Sequence, residues 1–256
     1  MIRLKSKREI ETMTEAARIL RQAFEKLQPA VLPGVSTLEL DRIAEEAIQK
    51  AGGESAFKGY RGFPRTLCVS INEEVVHGIP SKRKLKEGDL VSLDLGVNYK
   101  GYYSDAARSL PVGKVSAEVL KLIRVAKDAF LAGIEAVKKS GKRIGDLSCA
   151  VQAVIEENGF GVVRDYVGHG IGQAIHEEPQ IPNFGRAGQG PKIEPGLVIA
   201  IEPMVTAGHY AVETLSDGWT VVTKDKKWAS HYEDTVAFTE SGPLNLTGPE
   251  KDPSHA

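Results

Sequence analysis

Two aspartates with ten residues between them, Asp94 and Asp105, are the first pair in this chain whose spacing suggests chemistry. Asp94 sits in LVSLDLGV (90–97), where alternation places Val91, Leu93, Leu95 and Val97 on one face of a strand and Asp94 on the other. A second strand-like run covers 102–110, and Asn98-Tyr99-Lys100-Gly101 reads as the turn between the two. A turn centred between Tyr99 and Lys100 sets Asp94 directly opposite Asp105, with Cβ atoms about 5 Å apart. Facing carboxylates repel, and burying them is costly unless a cation, a proton or solvent offsets the charge. A divalent metal is one answer; two solvated aspartates on an exposed face are the other.

Five further residues add to the pair. Glu202 interrupts LVIAIEPMV (197–205), an apolar run in which a carboxylate needs a partner. Glu233 in HYEDTVAFT (231–239) is a similar strand acid, with Asp234 directed to the opposite face. His169 and His176 lie seven residues apart in GHGIGQAIHEEP (168–179), where the glycines permit close approach to a ligand. The segment is not H-E-x-x-H and is a poor dinucleotide loop, since its glycines follow G-x-G-x-G with Pro179 close behind. His77 ends the run EEVVHGIP (73–80) and is a weak signal by itself.

The elements that position these residues follow from periodicity and caps. Ser6 with Glu9 forms a capping-box pattern, and Ile10, Met13, Ala17, Leu20, Phe24 and Leu27 recur at helical spacing, so a helix is expected over 7–27, stopping near Pro29. Ser36 and Glu39 repeat the cap before a second helix that ends at Gly52-Gly53. Further helices are expected at 116–139 and 144–158, and strands at 66–71, 89–97, 102–110, 197–205, 219–223 and 231–239. The polar, proline-containing tail, 243–256, reads as loose.

The two halves echo each other. Aligning Gly34 with Gly141 places Glu39 on Asp146, Ile48 on Ile155 and Gly52 on Gly159; one residue more of offset places GDLVSLD (88–94) on GLVIAIE (196–202), so that Asp94 meets Glu202. An internal duplication, about 1–113 and 114–240, within a single catalytic domain spanning 1–256 is expected. It would bring the two carboxylates to related positions in one cleft.

Composition narrows the classes. With 33 basic and 34 acidic residues, nothing global favours nucleic acid or a charged membrane surface. Charges interrupt the first twenty residues, so they lack the apolar run of a signal peptide, and no stretch is long enough to span a bilayer. A cytoplasmic location is the expectation. The two cysteines, Cys68 and Cys149, form no C-x-x-C and read as reduced thiols.

The order D-x(10)-D, GHGIG…H, IEP and a strand glutamate resembles the metallopeptidases of the pita-bread fold, and within them the type I methionine aminopeptidases of the minimal bacterial form. FKGYRGFPRTLCVSINEEVVHGIP (57–80), SLDLGVNYKGYYSDAARSLPVG (92–113), YVGHGIGQAIHEEPQIPN (166–183), LVIAIEPM (197–204) and ETLSDGWTVVTKD (213–225) carry the likeness, which extends over residues 1 to about 242. Only about 25 residues separate His176 from Glu202, leaving no room for the long helical insert of type II relatives.

The resemblance implies an α+β fold, with pseudo-twofold αα-strand halves around a curved antiparallel sheet. It implies that Asp94, Asp105, His169, Glu202 and Glu233 bind two divalent ions (Co, Mn, Fe or Zn), with Asp105 and Glu233 bridging. His176 would steady the oxyanion, His77 would contact the peptide, and Glu202 would also carry a proton. Tyr60, Phe63, Cys68, Trp219, Phe57 and Ile175 would line a methionine pocket, and a monovalent cation would lie near Asn72. Some relatives carry Cys at the place of Phe57 and Phe at that of Ile175. The implied substrate is the N-terminus of a nascent polypeptide, cleaved after methionine when the second residue is small, by a monomer in transient contact with the ribosome. Two rivals stand beside this: a proline-specific peptidase of the same fold, and a non-catalytic binding module that kept the fold.

Overall fold

A computed structural model describes residues 1–138 and 142–248. Helix α1 (Lys7–Leu27) begins as expected: Ser6 Oγ accepts from the Glu9 amide, and the Glu9 carboxylate accepts from the Ser6 amide. Helix α2 (Thr37–Lys50) has the Ser36 cap alone. Helices α3 (Ala117–Ala136) and α4 (Ile144–Glu157) supply the second half. The expected end of α3 at 139 and the Gly141 match lie outside the described residues.

One nine-stranded antiparallel sheet organises the molecule. Its strands are β1 (Glu54–Ser55), β2 (Leu67–Ile71), β3 (Leu90–Tyr99), β4 (Tyr102–Pro111), β5 (Gly168–Gly170), β6 (Glu177–Ile181), β7 (Val198–Ile201), β8 (Glu233–Thr239) and β9 (Gly242–Asn245). The path runs β1-β3-β4-β8-β7-β5-β6, with β2 also on β3 and β9 also on β8. On one face, Leu67, Val69, Val91, Leu93 and Leu95 pack with Leu20, Phe24 and Leu40 of α1 and α2. In the other half, Leu197, Ile199, Ile201, Val236 and Phe238 pack with Leu122, Phe130, Leu147 and Val151 of α3 and α4. The opposite face carries Asp94, Asp105 and Glu233, because a strand alternates its side chains.

Asp234 points to the helix side, as alternation requires. There it is fully buried and accepts hydrogen bonds from Arg108, Tyr232, Asn245 and Thr247. A buried aspartate with four donors is satisfied, so it ties β8 to β4 and to the segment after β9.

Four expectations are corrected. The β3–β4 hairpin is centred between Lys100 and Gly101, whose φ values of 52° and 79° suit a two-residue type I′ turn. Asp94 therefore pairs with Ala107 and Asp105 with Gly96, so the two carboxylates are diagonal neighbours on one face rather than directly opposed. The run 197–205 is not one strand: β7 stops at Ile201, and Met204–Thr206 joins a separate sheet with Ala229–His231 and Gly161–Val162. Pro203 has no N–H to continue the ladder. For the same reason of shared sheets, 231–239 splits at Tyr232, between Ala229–His231 and β8. The segment after Gly242 is not loose as far as it is described: β9 pairs with β8, and Leu246 and Thr247 are buried. Residues from 249 onward lie outside the described residues.

Candidate metal centre and the cleft around it

The sheet delivers five of the expected residues to one spot. Asp94 comes from the middle of β3 and Asp105 from β4. Glu233 opens β8, where it pairs with Ala107. His169 lies in the centre of β5, and Glu202 follows the last residue of β7. Glycines flank His169 for a steric reason: a Cβ at Gly168 would strike the Ala200 carbonyl, and one at Gly170 the Glu178 carbonyl. Only a bare backbone lets β5 lie this close to both neighbours.

Hydrogen bonding orients His169. Its Nδ1 lies 2.9 Å from the Gly170 carbonyl oxygen, which can only accept, so Nδ1 carries the proton and Nε2 presents a lone pair. That lone pair lies 3.7 Å from Glu202 Oε1 and 3.9 Å from both Asp105 Oδ2 and Glu233 Oε1. These separations exceed a hydrogen bond and suit donors that share one ion at about 2 Å from each. Three carboxylate oxygens around an unprotonated nitrogen repel it unless positive charge lies between them.

Among the described residues no lysine or arginine pairs with any of the four carboxylates. Asp94 Oδ1, Asp105 Oδ1 and Glu233 Oε1 are buried without a hydrogen-bond partner. Asp94, Asp105 and Glu233 are only 8%, 3% and 2% exposed. Burial, reinforced by mutual repulsion, holds Asp94, Glu202 and Glu233 well above the usual carboxylate range, and burial pushes Asp105 up to about 7. Burial also lowers His169 to about 3, so its imidazole is neutral and free to ligate at physiological pH. Ligand atoms of Asp105, His169 and Glu233 fall within 4.8 Å of one another. The donor set fits divalent cations: carboxylates balance their charge, and an imidazole favours a transition ion over Mg or Ca.

The raised carboxyls fix the sign of a pH effect. Without metal they hold protons near neutral pH; with metal they cannot. Loading with Mn(II) is therefore expected to release protons, and its apparent affinity to fall as pH falls. Calorimetry in two buffers of different protonation enthalpy measures this, and a heat independent of buffer would contradict it.

The centre opens into a cleft of about 660 Å³. Phe57, Tyr60, Phe63, Cys68 and Trp219 line it, together with His77 and His176. Trp219 meets the Phe63 ring edge-on at 5.1 Å, and its amide is held by Asp217. Cys68 pairs with Asp94 across β2 and β3, so its thiol lies beside the carboxylates; burial and their charge push it well up. Ile175 is buried in the same apolar cluster as Phe57, Phe63 and Cys68, and is not among the residues that line the cleft. Both cysteines are free thiols.

Two histidines flank the mouth. His176 is exposed, its ring centroid 4.3 Å from that of His169, and its Nδ1 is 2.9 Å from Tyr60 Oη. His77 has φ 61°, in the left-handed region that a β-substituted residue adopts only when its surroundings impose it. Hydrogen bonds from the Val69 amide to the Gly78 carbonyl and from the Gly78 amide to Ser70 Oγ hold the turn, and the imidazole faces the edges of Tyr166 and Trp219. Asn72 has both ends of its side chain engaged, with Asp89 and the Leu90 amide, and its carbonyl accepts from Ala229.

Sequence reading missed one residue. His231 Nε2 is buried without a partner, 3.8 Å from Glu202 Oε2 and 3.8 Å from Glu233 Oε2. Its even spacing from Glu233 was the available signal.

Residues 11–240 match the sequence profile of metallopeptidase family M24. The chain belongs to this metallopeptidase family. A methionine aminopeptidase of Clostridium perfringens is 52% identical over 247 residues, 96% of this chain and 99% of that one. Among solved structures, the methionine aminopeptidase of Thermotoga maritima superposes with a TM-score of 0.95 at 42% identity, covering 97% of this chain and 100% of that one. An Xaa-Pro dipeptidase from Bacillus anthracis gives 0.77 at 27% identity, covering 97% of this chain and 63% of that one. The M24 relatives share the curled antiparallel sheet with flanking helices, so the fold is the expected pita-bread fold. Membership in a metallopeptidase family accords with divalent metal binding at the buried carboxylates. No helix among the described residues is long and apolar enough to cross a membrane.

Proposed function

We propose that this protein is an aminopeptidase that removes N-terminal methionine from polypeptides whose second residue is small. The observation that carries the reading is the set of buried carboxylates beside the His169 lone pair, three of them with an oxygen that has no hydrogen-bond partner, at the head of an aromatic cleft. Asp94, Asp105, His169, Glu202 and Glu233 would hold two divalent ions. When bound, such a pair supplies a nucleophilic water at neutral pH and polarises the scissile carbonyl.

The remaining steps belong to the chain. The cleft takes the methionine side chain among Phe57, Tyr60, Phe63, Cys68 and Trp219; aromatic rings suit a thioether. His176 Nδ1 lies 2.9 Å from Tyr60 Oη; in the tautomer that accepts there, Nε2–H is left to donate to the oxyanion as the carbonyl becomes tetrahedral. His77, held rigidly at the cleft wall, contacts the peptide link. The Glu202 carboxylate takes the proton lost by the attacking water and returns it to the departing amine. A substrate of this kind is met in the cytoplasm, on chains leaving the ribosome.

A proline-specific peptidase is the weaker reading, since the likeness to the Xaa-Pro dipeptidase is 27% against 52% for a methionine aminopeptidase. A screen of Met-Ala against Ala-Pro separates the two. Turnover of Met-Ala with at most trace cleavage of Ala-Pro is expected; preference for Ala-Pro would reverse the assignment.

A further inference from the structure

The five expected ligands leave His231 unexplained. Its side chain is 2% exposed, and Nε2 has no hydrogen-bond partner. An imidazole nitrogen in that condition is costly unless something occupies the space before it. What lies before it is carboxylate: Oε2 of Glu202 and Oε2 of Glu233, each at 3.8 Å. His169 stands before the other oxygens of the same two residues, Oε1 of Glu202 at 3.7 Å and Oε1 of Glu233 at 3.9 Å. The two imidazoles thus address opposite oxygens of each glutamate at the same range.

Ligand atoms of Asp94, His231 and Glu233 also lie within 4.8 Å of one another, as those of Asp105, His169 and Glu233 do. Glu233 is common to both sets, as a carboxylate shared by two ions must be. The backbone of His231 is fixed: its amide donates to Ser109 Oγ, its carbonyl accepts from the same hydroxyl, and it pairs with Met204.

We propose that His231 is a nitrogen ligand of the ion held by Asp94, so that each of the two ions has its own histidine. The inference rests on the dinuclear reading above and deepens it. An Asp94 site built from carboxylates alone is a hard oxygen site that tolerates Mg or Ca; an added imidazole turns its preference toward Zn, Co, Fe or Mn.

The test uses protein carrying 15N-labelled histidine and loaded with Zn(II). Long-range 1H–15N spectra report which imidazole nitrogens coordinate, and substitution assigns them. Two coordinated histidines are expected. His231→Gln should abolish one of the two signals and weaken one of two calorimetric Zn(II) sites by at least about tenfold, leaving the other unchanged. The wild-type spectrum keeps the idea falsifiable even if the variant folds poorly. A single coordinated histidine, lost in His169→Ala, would overturn the role of His231 while sparing the dinuclear centre. No coordinated histidine at all would overturn both.

Discussion

His169→Ala is expected to lose one bound ion and with it at least about a hundredfold of methionine release, since even partners behind a ligand cost 10–100-fold. The reason is local. The His169 side chain contributes one lone pair, aimed by its Nδ1–H bond to Gly170 at the oxygens of Glu202, Asp105 and Glu233. Alanine leaves those oxygens facing each other without a neutral donor among them. It changes no charge, because the imidazole is neutral at physiological pH, so the four carboxylates remain able to balance two ions. What is lost is coordination at the Glu202 side, not the attraction of the whole site for cations. Elemental analysis after loading and desalting reads the stoichiometry, and peptide assays read the rate. Two ions retained per chain would remove His169 from the centre.

His176→Ala is expected to do the opposite to metal and nearly the same to rate. Its ring lies beside His169 but at the cleft mouth, exposed to solvent, with Nδ1 turned to Tyr60. Removing it leaves every carboxylate and His169 in place, so stoichiometry should stay at two. It deletes a hydrogen bond made strongest as negative charge develops on the carbonyl oxygen, which costs about 10²–10³ in kcat for a donor of this type. KM should move far less, since ground-state contacts in the aromatic cleft are untouched. A kcat near that of the wild type would return His176 to a structural role beside Tyr60.

Much of this site was legible because its logic is local. Caps at Ser6 and Ser36 announced α1 and α2, and alternation in β3 separated Asp94 from the leucines that face α1 and α2. The glycines around His169 signalled close approach, and the structure supplies the carbonyls they accommodate. The hairpin register was not legible, because it depends on Lys100 accepting a positive φ, which lysine residues seldom do. A shift of two kept both aspartates on one face; a shift of one would have separated them.

Chain crossings between sheets were the other blind spot. Glu202-Pro203 and Tyr232 are where the chain leaves one sheet for another, and neither break can be inferred from an apolar run alone. His231 was overlooked even though its even spacing from Glu233 puts both on one face of the expected strand. It stands before the break, in a strand paired with Met204, and only the approach of the two sheets brings it to the carboxylates. Ile175 shows the reverse: an apolar residue beside a site residue, it is buried among Phe57, Phe63 and Cys68 without lining the cleft itself.

The most direct test of a metal-dependent methionine aminopeptidase is release of free methionine from Met-Ala-Ser and Met-Leu-Ser by protein reconstituted with Mn(II), Fe(II) or Co(II), each with a chelated control. The expected result is rapid release from Met-Ala-Ser, little from Met-Leu-Ser, and loss of both with chelator. Folded, metal-loaded protein that releases no methionine from either peptide, or releases it equally well after chelation, would contradict the assignment of the buried carboxylates and His169 as the catalytic metal centre.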